Sequence, residues 1–325
     1  MSASAASARP AAGAVTDGPA TAGAGPDVAE AERPSWAPAG LAGRTRAPLW
    51  RVLRAEVAWV FRRPRTLAVL GLLTAIPVIT GVALNIALGP QAAGPDGPGY
   101  TGSPGPALLT SMATSAFALP LGSLMTLLMM LLPLTVAMAA GDALAGEQSH
   151  GALRGWLLAP VSRGRLLLVK SVGVFAVGLV AASLVVLSGF LTGLALSGTD
   201  GLVSMSGDQL TFGDVLWRLA LAVGWAALYL MAVGAVALAI SASTEHPMVV
   251  VVSVLAGLIV SGVLMQIDAL EPMHPYLLPT AVFGLTDLIR DPLAFGGMGE
   301  GLVRAGSYLV IGMSLAYARI TTKDG

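Results

Sequence analysis

The sequence predicts an all-α membrane protein: six transmembrane helices, a cytoplasmic amphipathic helix before the first, and a re-entrant or interfacial helical element on the outer face before the last. Three observations predict it. Only 11% of the 325 residues are charged, whereas soluble domains carry about 25%. Several apolar runs without charge reach about 20 residues, the length a helix needs to cross a hydrocarbon layer of roughly 30 Å. Lysine and arginine gather on alternate loops, and basic flanks of this kind stay cytoplasmic. A mean hydropathy of +0.78 makes lipid the solvent.

The segment from Met1 to about Arg46 is rich in Ala, Gly, Pro and Ser without apolar periodicity. It cannot bury enough surface to offset its ordering entropy and reads as a disordered cytoplasmic tail. It lacks the basic start and apolar core of a signal peptide. Residues 47–325 then form the membrane domain. From Leu49 to Arg63, the residues Leu49, Trp50, Leu53, Val57, Val60 and Phe61 share one arc of a helix, and Arg51, Arg62 and Arg63 fall outside it. This pattern predicts a helix lying on the cytoplasmic leaflet, anchored by Trp50, Trp59, Arg62 and Arg63. Pro64 permits a change of direction into the first span.

The six spans are read as Leu67–Leu88, Phe117–Ala140, Leu166–Leu196, Leu216–Ala239, Met248–Ile267 and Leu302–Ala318. The third is long enough to tilt or project from the bilayer, and the sixth is short enough that its start belongs earlier. Between the fifth and sixth, an apolar piece from Tyr276 to Ile289 lies between Pro275 and Pro292 and is too short to cross.

Fifteen of the eighteen basic residues precede the first span, lie between the second and third, or follow the sixth; Arg218, Arg290 and Arg304 lie on the other side. Both termini are therefore cytoplasmic. Arg218 and Arg304 sit near span ends, where each snorkels to the headgroups, and Trp217 suits the aromatic belt.

Several functional classes are disfavoured. Formal net charge is zero, so bulk charge points to no nucleic acid. The absence of cysteine removes disulfides, thiolate metal sites and cysteine nucleophiles. Topology separates His150 and His246 from His274, so the three histidines form no common metal site. No pair of carboxylates lies within a span, which weighs against a proton-coupled carrier. The run Gly164 to Ser171 resembles a phosphate-binding loop, but Val169 stands where the second glycine is required and a helix, not a strand, surrounds it. The chain binds no ATP by this motif. Gly189 and Gly193 have the spacing of a close helix contact, a weak signal in a glycine-rich membrane protein. Sixteen arginines against two lysines, with excess Ala and Gly, fit a GC-rich bacterial genome.

What remains is the cytoplasmic stretch GDALAGEQSHGALRGWLLAPVSRGRLLLVK from Gly141. It concentrates charge around a Leu-Leu-x-Pro core, and Glu147 to Leu158 has the makings of a short helix ended by Pro160. On residue chemistry alone it is either a docking surface for a soluble partner or a charged interfacial turn.

This stretch resembles the signature loop of type-2 ATP-binding-cassette (ABC) transporter permeases, carried here by Gly141, Asp142, Leu144, Ala145, Glu147, Gly151, Leu153, Arg154, Leu157, Leu158, Pro160, Val161, Ser162, Arg163 and Lys170. Ala152 departs from the usual threonine. The amphipathic entry helix, six spans and the PYLLPT and DLIRDP runs are similar to that family as well. The resemblance implies a permease subunit, most readily an exporter in a bacterial plasma membrane, without an ATPase site of its own. A separate nucleotide-binding subunit would hold ATP and Mg, and a second permease copy would complete the pathway. Coupling to that subunit would run through Asp142, Glu147, Gly151, Arg154, Pro160 and Arg163. The alternative is a non-transporting scaffold or sensor that docks a cytoplasmic regulator through the same loop.

The orientation is testable because the chain lacks cysteine. Single cysteines at Ser103 and Ser206 are expected to react with an impermeant thiol reagent from outside the cell, and cysteines at Ser149 and Thr322 are not. Reversed labelling would overturn the orientation.

Overall fold

The computed structural model describes residues 48–88, 111–113, 115–149, 162–198, 202, 209–288 and 296–322. The tail expected over Met1 to Arg46 lies outside them. The described elements are helical: α1 (Leu49–Arg62), α2 (Pro64–Leu88), α3 (Ala118–Met129), α4 (Leu131–Ala143), α5 (Ala145–Ser149), α6 (Arg163–Ser197), α7 (Phe212–Ser243), α8 (Pro247–Leu264), two 3-10 helices (Asp268–Tyr276 and Leu278–Leu288), and α9 (Gly296–Thr322).

Five of these helices are long and apolar enough to cross a membrane, and six are if the bent pair of α3 with α4 and α5 is one span. The second span is thus not the straight helix expected: it bends by 52° at Met130, whose φ of −147° and ψ of −52° leave the helical region. Pro133 explains the position. It has no N–H to give Met129, and its ring needs the space of that carbonyl. The ladder resumes at once, as the Leu134 N–H donates to the Met130 carbonyl at 3.0 Å.

The two longest helices are the centre of the bundle. α6 has 35 residues and α7 has 32, about 52 and 48 Å, and they bury 56% and 61% of their apolar stretches. By the same measure α2 and α9 bury 22% each and α8 only 11%, so the described residues of this chain leave most of their apolar surface uncovered. The sixth span begins at Gly296, earlier than Leu302, because Gly296 to Gly301 continues the helix above the apolar run.

α6 meets α3 at Gly189 and the residues just before α3 at Gly193. A Cβ on Gly189 would lie 2.8 Å from Pro120 Cα, and one on Gly193 2.7 Å from Ala116 Cα. Without aqueous solvent to drive helices together, such backbone approach supplies the dispersion contact that holds them.

Two other expectations change. α1 does not rest its apolar face on lipid alone: Leu53, Val57 and Val60 are partly buried, and a Cβ on Gly173 of α6 would lie 3.2 Å from Glu56 Cγ and 3.6 Å from Val60 Cγ2. Packing on α6 covers part of that face. The outer element begins at Asp268 and consists of two 3-10 helices broken at Leu277, not one piece from Tyr276 to Ile289; Ile289 and Pro292 lie outside the described residues. Pro272 and Pro275 deprive the first piece of two donors, which favours short 3-10 turns over an α-helix. The second piece buries Leu278, Ala281, Val282, Leu285 and Leu288.

Gly189→Leu and Gly193→Leu are expected to cost about 1–3 kcal/mol each by overpacking, since the backbone they would strike cannot swing aside. Gly257→Leu, where an added Cβ meets nothing within 4 Å, is the control. Equal thermal unfolding midpoints in detergent for all three variants would contradict the α3–α6 contact.

Candidate functional site

The end of the bundle where α4 finishes, α6 starts and α9 finishes gathers the charged residues of the loop. α4 ends at Ala143, and Leu144 breaks the helix before the single turn of α5. Ser241 of α7 bridges that break. Its hydroxyl donates to the Ala140 carbonyl at 2.8 Å and accepts the Ala145 N–H at 3.0 Å, so one fully buried side chain satisfies a terminal carbonyl of α4 and a terminal donor of α5. Gly141 faces α8: a Cβ there would lie 3.0 Å from the Pro247 carbonyl oxygen. The glycine admits the first residue of α8 against the end of α4.

Glu147 on α5 turns back to the membrane domain. Its carboxylate pairs with Lys170 of α6, and the same ammonium donates to Glu56 of α1 at 3.0 Å. Lys170 is 2% exposed, and the two carboxylates are 14% and 16% exposed. Burial of this kind is tolerated by an ion only when opposite charge and hydrogen bonds replace its hydration. Three segments distant in sequence thus share one cation. The packing at Gly173, one turn along α6, is what brings Glu56 within reach.

Asp142 forms a second cluster on the neighbouring face, with Arg63 at 3.4 Å and Arg65 at 3.5 Å. Arg63 also stacks on Trp59, its guanidinium carbon 3.5 Å from the ring centroid, a cation–π contact. Arg63 is therefore turned toward the bundle. A small cleft of about 30 Å³ between the two clusters is lined by Glu56, Trp59, Arg63, Asp142 and Lys170 among others. Arg163, at the first turn of α6, donates to the Ile320 and Thr321 carbonyls at 3.2 and 2.8 Å. These are orphan acceptors at the end of α9, where positive charge is also favoured.

Asp142, Glu147 and Arg163 are accordingly drawn together at this end, each engaged with another helix. Gly151, Arg154 and Pro160 lie outside the described residues. Lys170 was legible as the last position of the loop pattern but not as its centre. Ser241 carried no signal in the sequence, since one serine in a small-residue helix is unremarkable there.

At the opposite end, Arg218 and Arg304 are engaged by the 3-10 segment. Arg218 is 6% exposed and donates to the Leu288 carbonyl at 3.2 Å. Arg304 is half-buried and donates to the Thr280 hydroxyl. The end of a 3-10 helix offers unpaired carbonyls, and charge-assisted bonds to them compensate the guanidinium for lost water. Tyr308 adds a bond from its hydroxyl to the Tyr276 carbonyl at 3.0 Å. Trp217, beside Arg218, is 62% exposed.

Removing Lys170 leaves two carboxylates facing each other without a cation. Lys170→Met is therefore expected to cost about 3–5 kcal/mol, the usual penalty for breaking a buried pair from one side, and Glu147→Gln distinctly less because Glu56 still neutralises the ammonium. The comparison is read from thermal unfolding of the two variants in detergent; equal losses would contradict the shared cation.

A family model described as ABC-2 family transporter protein matches residues 50–289. No curated protein matches the chain.

Proposed function

The chain belongs to the ABC-2 transporter family, and from that premise we propose that this permease subunit is an exporter driven by a separate ATP-hydrolysing subunit. That partner docks at the end of the bundle carrying α5, and two permease copies, identical or related, enclose the pathway. The membrane is a bacterial plasma membrane with both termini of the chain on its cytoplasmic side. ATP and Mg belong to the partner.

The observation that supports this reading best is the anchoring of α5. A docking element transmits force only if it is fastened to what must move, and coupling between sites is a difference of interaction energies between states. α5 is fastened by Glu147 to α6 and, through Lys170, to α1, and by Ser241 to α7. A passive surface turn has no need of such ties. Glu147 then acts as a positioning residue that holds the element, and Arg154 is the residue that meets the partner. The basic-residue count supports the orientation, since the ends it assigns to one side are those joined by the Glu56, Glu147, Asp142 and Arg163 contacts.

The purified chain alone is expected to show no ATP hydrolysis. In the complex with its ATPase subunit, a cysteine at Arg154 is expected to crosslink to that subunit, and Arg154→Ala to lower permease-dependent ATPase activity without lowering the amount of inserted permease. Absence of the crosslink together with unchanged ATPase activity would remove the docking assignment.

A further inference from the structure

The face of α1 turned away from the bundle is a basic strip between two tryptophans. At about 100° per residue, Trp50, Arg54, Arg51, Arg62 and Trp59 follow one another around half of the helix, and all five are exposed. The acidic residue of α1, Glu56, is on the other half, held by Lys170. Arg51, Arg54 and Arg62 have no ion-pair partner among the described residues. The strip is positively charged along its length and has no counter-charge of its own.

We infer that this strip binds the phosphate headgroups of anionic phospholipids. Its direction supports lipid over a soluble partner. α1 is joined to the span α2 by Arg63 alone, so it cannot leave the membrane surface. Its inner face packs sideways on α6 at Gly173, so the opposite face points laterally, into the headgroup layer around the bundle. Trp50 and Trp59, 61% and 44% exposed, flank the arginines with amphipathic rings suited to that depth. Arginine matches phosphate by a fork of donors, and a basic segment at an anionic surface gains attraction with each charge. The inference rests on the membrane fold and holds whether or not the chain exports anything.

The test uses the full chain with a fluorophore on Ala58→Cys, which lies on the axis of the strip, reconstituted in bilayers at low salt. The quencher is a spin label just beneath the headgroup of either phosphatidylglycerol or phosphatidylcholine. Phosphatidylglycerol is expected to quench more strongly at equal mole fraction, and its preference to fall about fivefold for each of Arg51→Gln, Arg54→Gln and Arg62→Gln. High salt is expected to abolish the preference in the unsubstituted arginine background, which keeps the test decisive if a glutamine variant does not accumulate. Equal quenching by both lipids overturns the inference. Quenching by neither, with the label open to a water-soluble quencher, overturns it as well.

Discussion

The burial of one ammonium group sets the arrangement of one end of this protein. Lys170 is 2% exposed, and a lone charge at that depth would neutralise or force the helices apart. Two carboxylates from separate segments, Glu56 and Glu147, face it. Each must be delivered by a helix packed closely on α6. α1 therefore cannot drift along the leaflet as an independent amphipathic helix, and α5 cannot swing as a free loop. One cation with two anions leaves the triad net negative, while Asp142 with Arg63 and Arg65 is net positive beside it. The two clusters neutralise one another across a cleft too small for a ligand, so this end is a fastening and not a binding pocket.

The spans were legible because the physics that makes them is one-dimensional. An apolar run of sufficient length must be a helix in lipid, since its backbone groups have no other partners. The bend at Met130 was equally present in the sequence, in Pro133, yet a continuous hydrophobic run conceals it. The charged residues were less legible. Position along a span tells that Arg218 and Arg304 are near an end, and snorkelling follows if the neighbours are lipid. Their neighbours are instead the carbonyl of Leu288 and the hydroxyl of Thr280, supplied by a segment about 70 residues away in one case. No pattern local to Arg218 contains that information. α1 fails in the same way: its periodicity shows an apolar face but not whether lipid or α6 covers it.

The two ends of the bundle are fastened by different chemistry. At the end of α5 pairs of charged side chains join the backbone bonds of Ser241 and Arg163, and Arg63 and Arg65 reach Asp142 at nearly equal distances. Such a contact exchanges partners at little cost. At the 3-10 end the acceptors include backbone carbonyls, of Leu288 for Arg218 and of Tyr276 for Tyr308. A carbonyl moves only with its helix, so these bonds fix the 3-10 segment to α7 and α9.

α7 joins these two regimes. Ser241 near its end holds the start of α5, and Arg218 near its start holds the end of the second 3-10 helix; 23 residues of unbroken helix separate them by about 35 Å. No proline interrupts that stretch, and kinks in helices have identifiable causes. The hydrogen bonds at Ser241 and Arg218 are thus carried by one continuous helix. Of the two helices that meet at Ser241, α7 runs unbroken between the two ends and α4 continues into α3 only through a bend.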